Sequence, residues 1–170
     1  DLIDATAFTG VGVTLRGNGG DDTLLGSSGR DVLYGNAGDD VLRGFDGIDS
    51  ILGSAGADLL DGGEGGDRLR GQGGSRDSLL GGGGNDTLDG GAGTDFVFES
   101  ANKDFVLTDT GLSGLGNDRL MDVEFVSISG GSSNNTIDAS AVTALITVLN
   151  GLDGDDTLLG GALSDRINGG

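Results

Sequence analysis

Short carboxylates return in this chain at a fixed interval. From Gly17 to Phe98 it reads GNGGDDTLL, GSSGRDVLY, GNAGDDVLR, GFDGIDSIL, GSAGADLLD, GGEGGDRLR, GQGGSRDSLL, GGGGNDTLD and GGAGTDFVF: eight units of nine residues and one, opening at Gly71, of ten. Aspartate holds the sixth position, as Asp22, Asp31, Asp40, Asp49, Asp58, Asp67, Asp86 and Asp95, with Asp77 in the longer unit. Glycine opens each unit and returns at the fourth position. The pairs are Gly17 and Gly20, Gly26 and Gly29, Gly35 and Gly38, Gly44 and Gly47, Gly53 and Gly56, Gly62 and Gly65, and Gly81 and Gly84. With no cysteine and no histidine in the chain, only oxygen remains as a metal donor. Carboxylates, backbone carbonyls, hydroxyls and water suit hard cations, above all calcium.

The composition points the same way. The net charge of -19 arises from 28 acids against 9 bases, and only Glu64, Glu99 and Glu124 are glutamates, leaving 25 aspartates. A solvated acidic surface would mix the two acids. Aspartate is the shorter one, tolerates turns, and reaches an ion held by its own loop. This charge excludes a nucleic-acid partner, because no basic stripe faces phosphates. No apolar run is long enough to insert in a membrane, and no amino-terminal signal peptide is visible.

The elements that position these acids follow from the period. In each unit the first six residues are expected to turn and the last three to form a short strand. Its eighth residue points inward: Leu24, Leu33, Leu42, Ile51, Leu60, Leu69, Leu79, Leu88 and Val97. One unit cannot cover its own aliphatic residue, but two units per coil, stacked on neighbouring coils, can. The expected fold is therefore all-β: a right-handed parallel β-roll (a β-solenoid) with turn ladders along both edges. Units opening at Gly17, Gly35, Gly53, Gly71 and Gly90 share one edge and stack Asp22, Asp40, Asp58, Asp77 and Asp95. Those opening at Gly26, Gly44, Gly62 and Gly81 share the other and stack Asp31, Asp49, Asp67 and Asp86.

Coils lie about 4.8 Å apart. Carboxylates stacked at ~5 Å repel by roughly 3 kcal/mol per pair at an effective dielectric near 20. Most turns carry no base, so a divalent cation between coils is the expected compensation. Glycine at the first, second and fourth positions is expected to let turn carbonyls face that ion. Pairs of neighbouring aspartates give four sites plus three, about seven ions. The alternative reading, in which the aspartates only shape turns, explains one or two of them but not nine in register.

Outside the array, residues 1–16 read as a leading coil, with Val11, Val13 and Leu15 alternating as in a half-buried strand. Residues 99–150 read as a degenerate spacer with longer coils, FVLTD and EFVSIS being its longer strands. A small independent β insertion is the alternative. Asp118 lies in the loop-like unit SGLGNDRLM, and Asn135 replaces aspartate in GGSSNNTID, where a site should be weak or empty. GLDGDDTLL and GALSDRING, holding Asp156 and Asp165, restart the array at Gly151 and carry it to residue 170. Ile3–Gly26 aligns with Ile137–Gly160 at an offset of 134 residues with 14 of 24 positions identical, which places the two ends at one phase of a higher-order repeat. The segment is expected to be one link of a longer tandem protein. Phe96, Phe98, Phe105 and Phe125 are expected to fill a wider core, Tyr34 and Phe45 to lie on the surface, and Arg68, Arg70 and Arg119 to offset acids.

The nonapeptides GGEGGDRLR, GGGGNDTLD and GGAGTDFVF resemble those of the RTX (repeats-in-toxin) family of secreted bacterial proteins. The resemblance implies a calcium-filled parallel β-roll with the sixth-position aspartates and turn carbonyls as ligands. It also implies type I secretion of an unfolded chain, followed by folding outside the cell, although no carboxy-terminal secretion signal is visible. The IDASA, GGSSNN and DRLMDVE contexts are similar to those of very large RTX proteins of cell surfaces, adhesins and matrices. Two functions compete. One is a structural segment of a surface-layer, adhesive or filament-forming protein, able to associate with itself end to end or laterally. The other is an accessory calcium-binding module of a secreted protease, lipase or alginate epimerase. An active site within the chain is not expected. The paired acids Asp21–Asp22, Asp39–Asp40 and Asp155–Asp156 point apart and recur with no singular pocket, and no nucleophile elbow exists.

Overall fold

The computed structural model describes residues 1–170, all in strands, turns and bends with no helix. The chain forms β1 (Leu2–Asp4), β2 (Thr14–Gly19), β3 (Thr23–Leu25), β4 (Val32–Ala37), β5 (Val41–Gly47), β6 (Ser50–Ala55), β7 (Leu59–Gly65), β8 (Arg68–Gly73), β9 (Ser78–Gly83) and β10 (Thr87–Ala92). It continues with β11 (Phe96–Ser100), β12 (Phe105–Thr108), β13 (Gly111–Ser113), β14 (Asn117–Met121), β15 (Phe125–Gly131), β16 (Thr136–Asp138), β17 (Ile146–Leu152), β18 (Thr157–Leu159) and β19 (Arg166–Asn168). Two sheets result. The first has the order β1-β3-β5-β7-β9-β11-β15-β17-β19 and the second β18-β16-β12-β13-β14-β10-β8-β6-β4-β2. Through the array the chain alternates between sheets, and each strand pairs in parallel with the strand one coil on. This is a parallel β-roll.

Strand parity sets the interior. The sixth, eighth and next first positions face inward, so each coil buries aspartate, an aliphatic residue and glycine in turn. The eighth-position column from Leu24 to Val97 is fully buried. Most array strands are six or seven residues long, not three. The reason is that first- to third-position residues go on pairing between coils, as Asn18 with Asn36 and Ser54 with Gln72. The leading coil also departs from expectation. Val11 is exposed, and after β1 strand pairing resumes only at Thr14. Residues 11–13 instead close over the turn at Gly26, where the Ser27 hydroxyl donates to the Val11 carbonyl at 2.8 Å.

The region 99–150 combines the two expected architectures. In the first sheet the roll continues in parallel through β11, β15, β17 and β19. In the second, β12, β13 and β14 form an antiparallel meander between β10 and β16. Parallel neighbours need a long crossover, whereas Asp109–Thr110 leaves room only for a hairpin. The insertion is not independent, since Phe105, Leu107, Leu112 and Leu120 join the same core cluster as Leu24.

The aromatic expectation is corrected in the same region. Only Phe105 is in the core; Phe96, Phe98 and Phe125 lie on the outer face of the first sheet. Parity puts them there, because Val97 and Val126 between them point inward. Phe96 stacks on Phe125 with centroids 4.8 Å apart, and the Arg76 guanidinium lies 5.6 Å from the Phe96 centroid. Phe45 is exposed as expected, while Tyr34 is half-buried beneath the Arg16 guanidinium, 4.1 Å from its ring centroid. Arg68, Arg70 and Arg119 form no ion pair, and the side-chain pair that does form is Arg43 with Asp61 at 3.9 Å.

The internal repeat is reproduced at the level of hydrogen bonds. Asp4 caps the Thr6 N–H at 2.9 Å as Asp138 caps that of Ser140 at 2.9 Å. Likewise Ala5 N–H donates to the Leu25 carbonyl and Ala139 N–H to that of Leu159. Yet β1 and β3 belong to the first sheet, and β16 and β18 to the second. The two copies share a local structure but not the phase expected for them.

Candidate metal centre

Each turn of the array carries its aspartate between the glycine corner and the next strand, and strand parity then points the carboxylate inward. The carboxylates form two ladders. On the first edge the N–H of Asp22 donates to Asp40 Oδ1 at 2.8 Å, Asp40 to Asp58 at 2.9 Å, Asp58 to Asp77 at 2.9 Å and Asp77 to Asp95 at 2.8 Å. On the second edge Asp31 donates to Asp49 at 2.7 Å, Asp49 to Asp67 at 2.8 Å, Asp67 to Asp86 at 2.8 Å and Asp86 to Asp118 at 3.0 Å. The extra residue of the unit at Gly71 is absorbed in its turn, so Asp77 keeps its rung.

Every such bond uses one oxygen. The other, Oδ2, is buried without a hydrogen-bond partner in Asp22, Asp40, Asp49, Asp58, Asp67, Asp77, Asp86, Asp95 and Asp156. A buried charged acceptor left unpaired is costly, and native interiors rarely keep one. Nine repeats of the same unpaired atom mark a place for a cation. The first-position glycines form the cradle. A Cβ on Gly17 would lie 2.5 Å from Asp22 Oδ2 and 2.9 Å from the Gly35 carbonyl oxygen, and one on Gly62 would lie 2.5 Å from Asp67 Oδ2 and 2.8 Å from that of Gly81. The same crowding of the aspartate Oδ2 recurs at Gly26, Gly35, Gly44, Gly53, Gly71 and Gly81. Carboxylate and backbone carbonyl from successive coils thus converge on one spot.

The other glycine positions work differently from expectation. Left-handed backbone falls at the second position, where non-glycine residues Asn18, Asn36, Phe45, Ser54 and Gln72 adopt it with φ between 72° and 92°. At the fourth position Gly20, Gly38, Gly47, Gly56, Gly65 and Gly84 have positive φ, and their carbonyls stack coil on coil. Gly29 does not follow, because Val11 and Gly12 pack against it.

No three acidic side chains converge on a point. An ion in these corners therefore draws on at most two carboxylates and takes its other ligands from backbone carbonyls, a donor set that fits calcium. Burial, the leading cause, pushes the Asp49 and Asp58 carboxyls up to about 6 and Asp67 up to about 7, with neighbouring aspartates adding to the rise. Asp118 rises to about 6 and Glu99 to about 7 from the same leading cause. Asp40, Asp77, Asp86 and Asp95 are raised too.

The remaining candidates separate into two kinds. Asp156 resembles the array, accepting the Asn135 N–H at 2.8 Å and leaving Oδ2 unpaired. Asp31 and Asp165 have both oxygens bonded: Asp31 Oδ2 accepts the Ser27 N–H at 2.6 Å, and Asp165 Oδ2 that of Gly161 at 2.7 Å. The final unit is framed from Gly160, whose Cβ would meet Asp165 Oδ2 at 2.7 Å, so it reads GGALSDRIN, one residue earlier than expected. At Gly130 the neutral Asn135 Oδ1 accepts the Gly131 N–H at 2.9 Å.

One ladder member escaped the sequence reading. Asp95 N–H donates to Glu124 Oε2 at 2.8 Å, so a glutamate caps the first edge. The turn before it is abbreviated, and pairing of Phe96 with Phe125 puts Glu124 level with Asp95. The signal was the shared aromatic following each acid.

A family model described as an RTX calcium-binding nonapeptide repeat (4 copies) matches residues 16–44, 43–76, 73–98 and 146–170, more than half of the chain. No curated protein matches it.

Proposed function

Since the chain belongs to the RTX calcium-binding nonapeptide-repeat family, a calcium-binding structural module, we propose that it serves as a segment of a secreted bacterial surface-layer, adhesin or filament-forming protein. The recurring unpaired Oδ2 between stacked glycine corners carries this reading. Asp22, Asp40, Asp58, Asp77 and Asp95 on one edge, and Asp49, Asp67 and Asp86 on the other, would hold the ions with first- and fourth-position carbonyls. The rungs that these aspartates open, four on the first edge and three on the second as far as Asp118, would give about seven sites. Asp156 would hold a further ion where the array restarts.

Binding and folding would then be a single event. A chain that buries one aliphatic residue per nonapeptide gains too little from its core to offset backbone ordering and carboxylate repulsion alone. Such a chain stays open in a calcium-poor cytosol, passes a secretion channel unfolded, and closes where calcium is abundant. The 134-residue internal repeat favours a tandem structural protein over an accessory module beside an enzyme, since an accessory module needs no super-period.

Circular dichroism with and without a chelator tests the coupling. The β signal is expected to appear on calcium addition; equal signal in both conditions would overturn it. Light scattering and electron microscopy of the same samples test assembly: calcium-dependent polymers support the filament role, and persistent monomers oppose it.

A further inference from the structure

Strand pairing between β9 and β11 stops early. Ser78 pairs with Phe96 and Leu79 with Val97, after which β11 leaves β9 while staying paired with β15 as far as Ser100 with Ser129. Glu99 sits at the split, where an array unit would open with glycine. Its Oε1 accepts the N–H groups of Gly81 at 3.1 Å and Gly82 at 3.2 Å, replacing the ladder bonds lost there. The side chain is 6% exposed. Its second oxygen accepts no hydrogen bond and the residue lines a cavity of about 270 Å³ on the first sheet.

The rest of that cavity is a mixed surface. Asp61 supplies another carboxylate, Ser100, Ser127 and Ser129 supply hydroxyls, and Phe98, 38% exposed, supplies an aromatic wall. Phe98 extends the Phe96–Phe125 stack, its ring centroid lying 6.0 Å from that of Phe96. The volume falls just below the roughly 300–1,000 Å³ of pockets for drug-sized ligands, a size suited to one small ring. A ligand here must offer hydroxyl donors to the free Glu99 oxygen and to Asp61, which Arg43 approaches only to 3.9 Å, and an apolar face to a ring. It must also carry no negative charge, since the chain's own charge is -19.

We propose that this cavity is a binding site for a neutral pyranose sugar, stacked on Phe98 and hydrogen-bonded through its hydroxyls to Glu99, Asp61 and the serines. Charge-assisted bonds from hydroxyl to carboxylate give orientation, and the ring gives contact area.

Calorimetry and ligand-observed NMR on the calcium-loaded protein, with methyl glucoside, galactoside and mannoside as probes, test the site. Saturable binding of at least one probe is expected with a Kd on the order of 1 mM. Phe98→Ala, on the outer face and so compatible with folding, is expected to weaken it by about tenfold, and Ser127→Val to weaken it too, with β signal and calcium stoichiometry unchanged. Absence of saturable binding by all three sugars would overturn the site. So would full affinity in Phe98→Ala, or loss of one calcium in Glu99→Gln while Phe98→Ala leaves sugar and calcium alone. Because the protein is loaded and folded throughout, failure here is distinct from failure of calcium-coupled folding.

Discussion

The two oxygens of an array aspartate have different duties. Oδ1 holds the neighbouring coil by accepting its N–H, and Oδ2 waits in a glycine corner without a donor. Asparagine keeps the first duty and abolishes the second. Asp58→Asn should therefore lower the calcium stoichiometry by about one or two ions, since Asp58 borders two rungs. Asp165→Asn should leave it unchanged, because both Asp165 oxygens are already bonded. Isothermal titration of the two variants side by side checks the division, and equal losses in both would refute it.

At the scale of the element, each half-coil is a turn that stores charge and a strand that buries one aliphatic side chain. Leu60 is fully buried in the column, whereas Leu159 on β18 is 43% exposed. Leu60→Ala should cost about 2–5 kcal/mol, and Leu159→Ala no more than about 0.5 kcal/mol, measured by denaturant unfolding of the calcium-loaded protein. The period of nine made the column, the two ladders and the pairing of units readable directly, because one residue in nine repeats a geometric constraint. The meander of 105–121 was not readable. Its alternation of Phe105, Leu107 and Leu112 is the same for parallel and antiparallel pairing, and only the length of the connection at 109–110 decides. Glu124 was hidden because its turn is shorter than a nonapeptide, so counting positions fails. The outward Phe96, Phe98 and Phe125 were readable from parity with Val97, but aromatic bulk argued for the core. The first-position glycines make room for a carboxylate, while positive φ falls one residue later, on asparagine, serine, glutamine or Phe45, and again at the fourth position.

At the scale of the whole molecule, acid and calcium should substitute for one another. Burial raises the folded-state pKa of Asp40, Asp77, Asp86 and Asp95 above the unfolded value, and takes Asp49 and Asp58 to about 6 and Asp67 to about 7. A group raised on folding stabilises the fold fully below its unfolded pKa, and that contribution is lost as pH climbs through the folded one. Without metal, β structure should be greatest near pH about 4 and fade toward pH about 7. With calcium bound the slope should reverse, because protons then compete with the ion for the same oxygens. Circular dichroism across this range, with chelator and with calcium, should give curves of opposite sign; parallel curves would show that the ladders are not the titrating element.

The opposite-sheet placement of the two copies has a consequence for the tandem arrangement proposed above. An odd number of crossings separates like from like, so wherever the period recurs in tandem, consecutive copies show the same flank to opposite horizons. The Phe98 sugar cavity would then alternate left and right along the rod, and a fibre of this kind would grip neighbours from both sides at once.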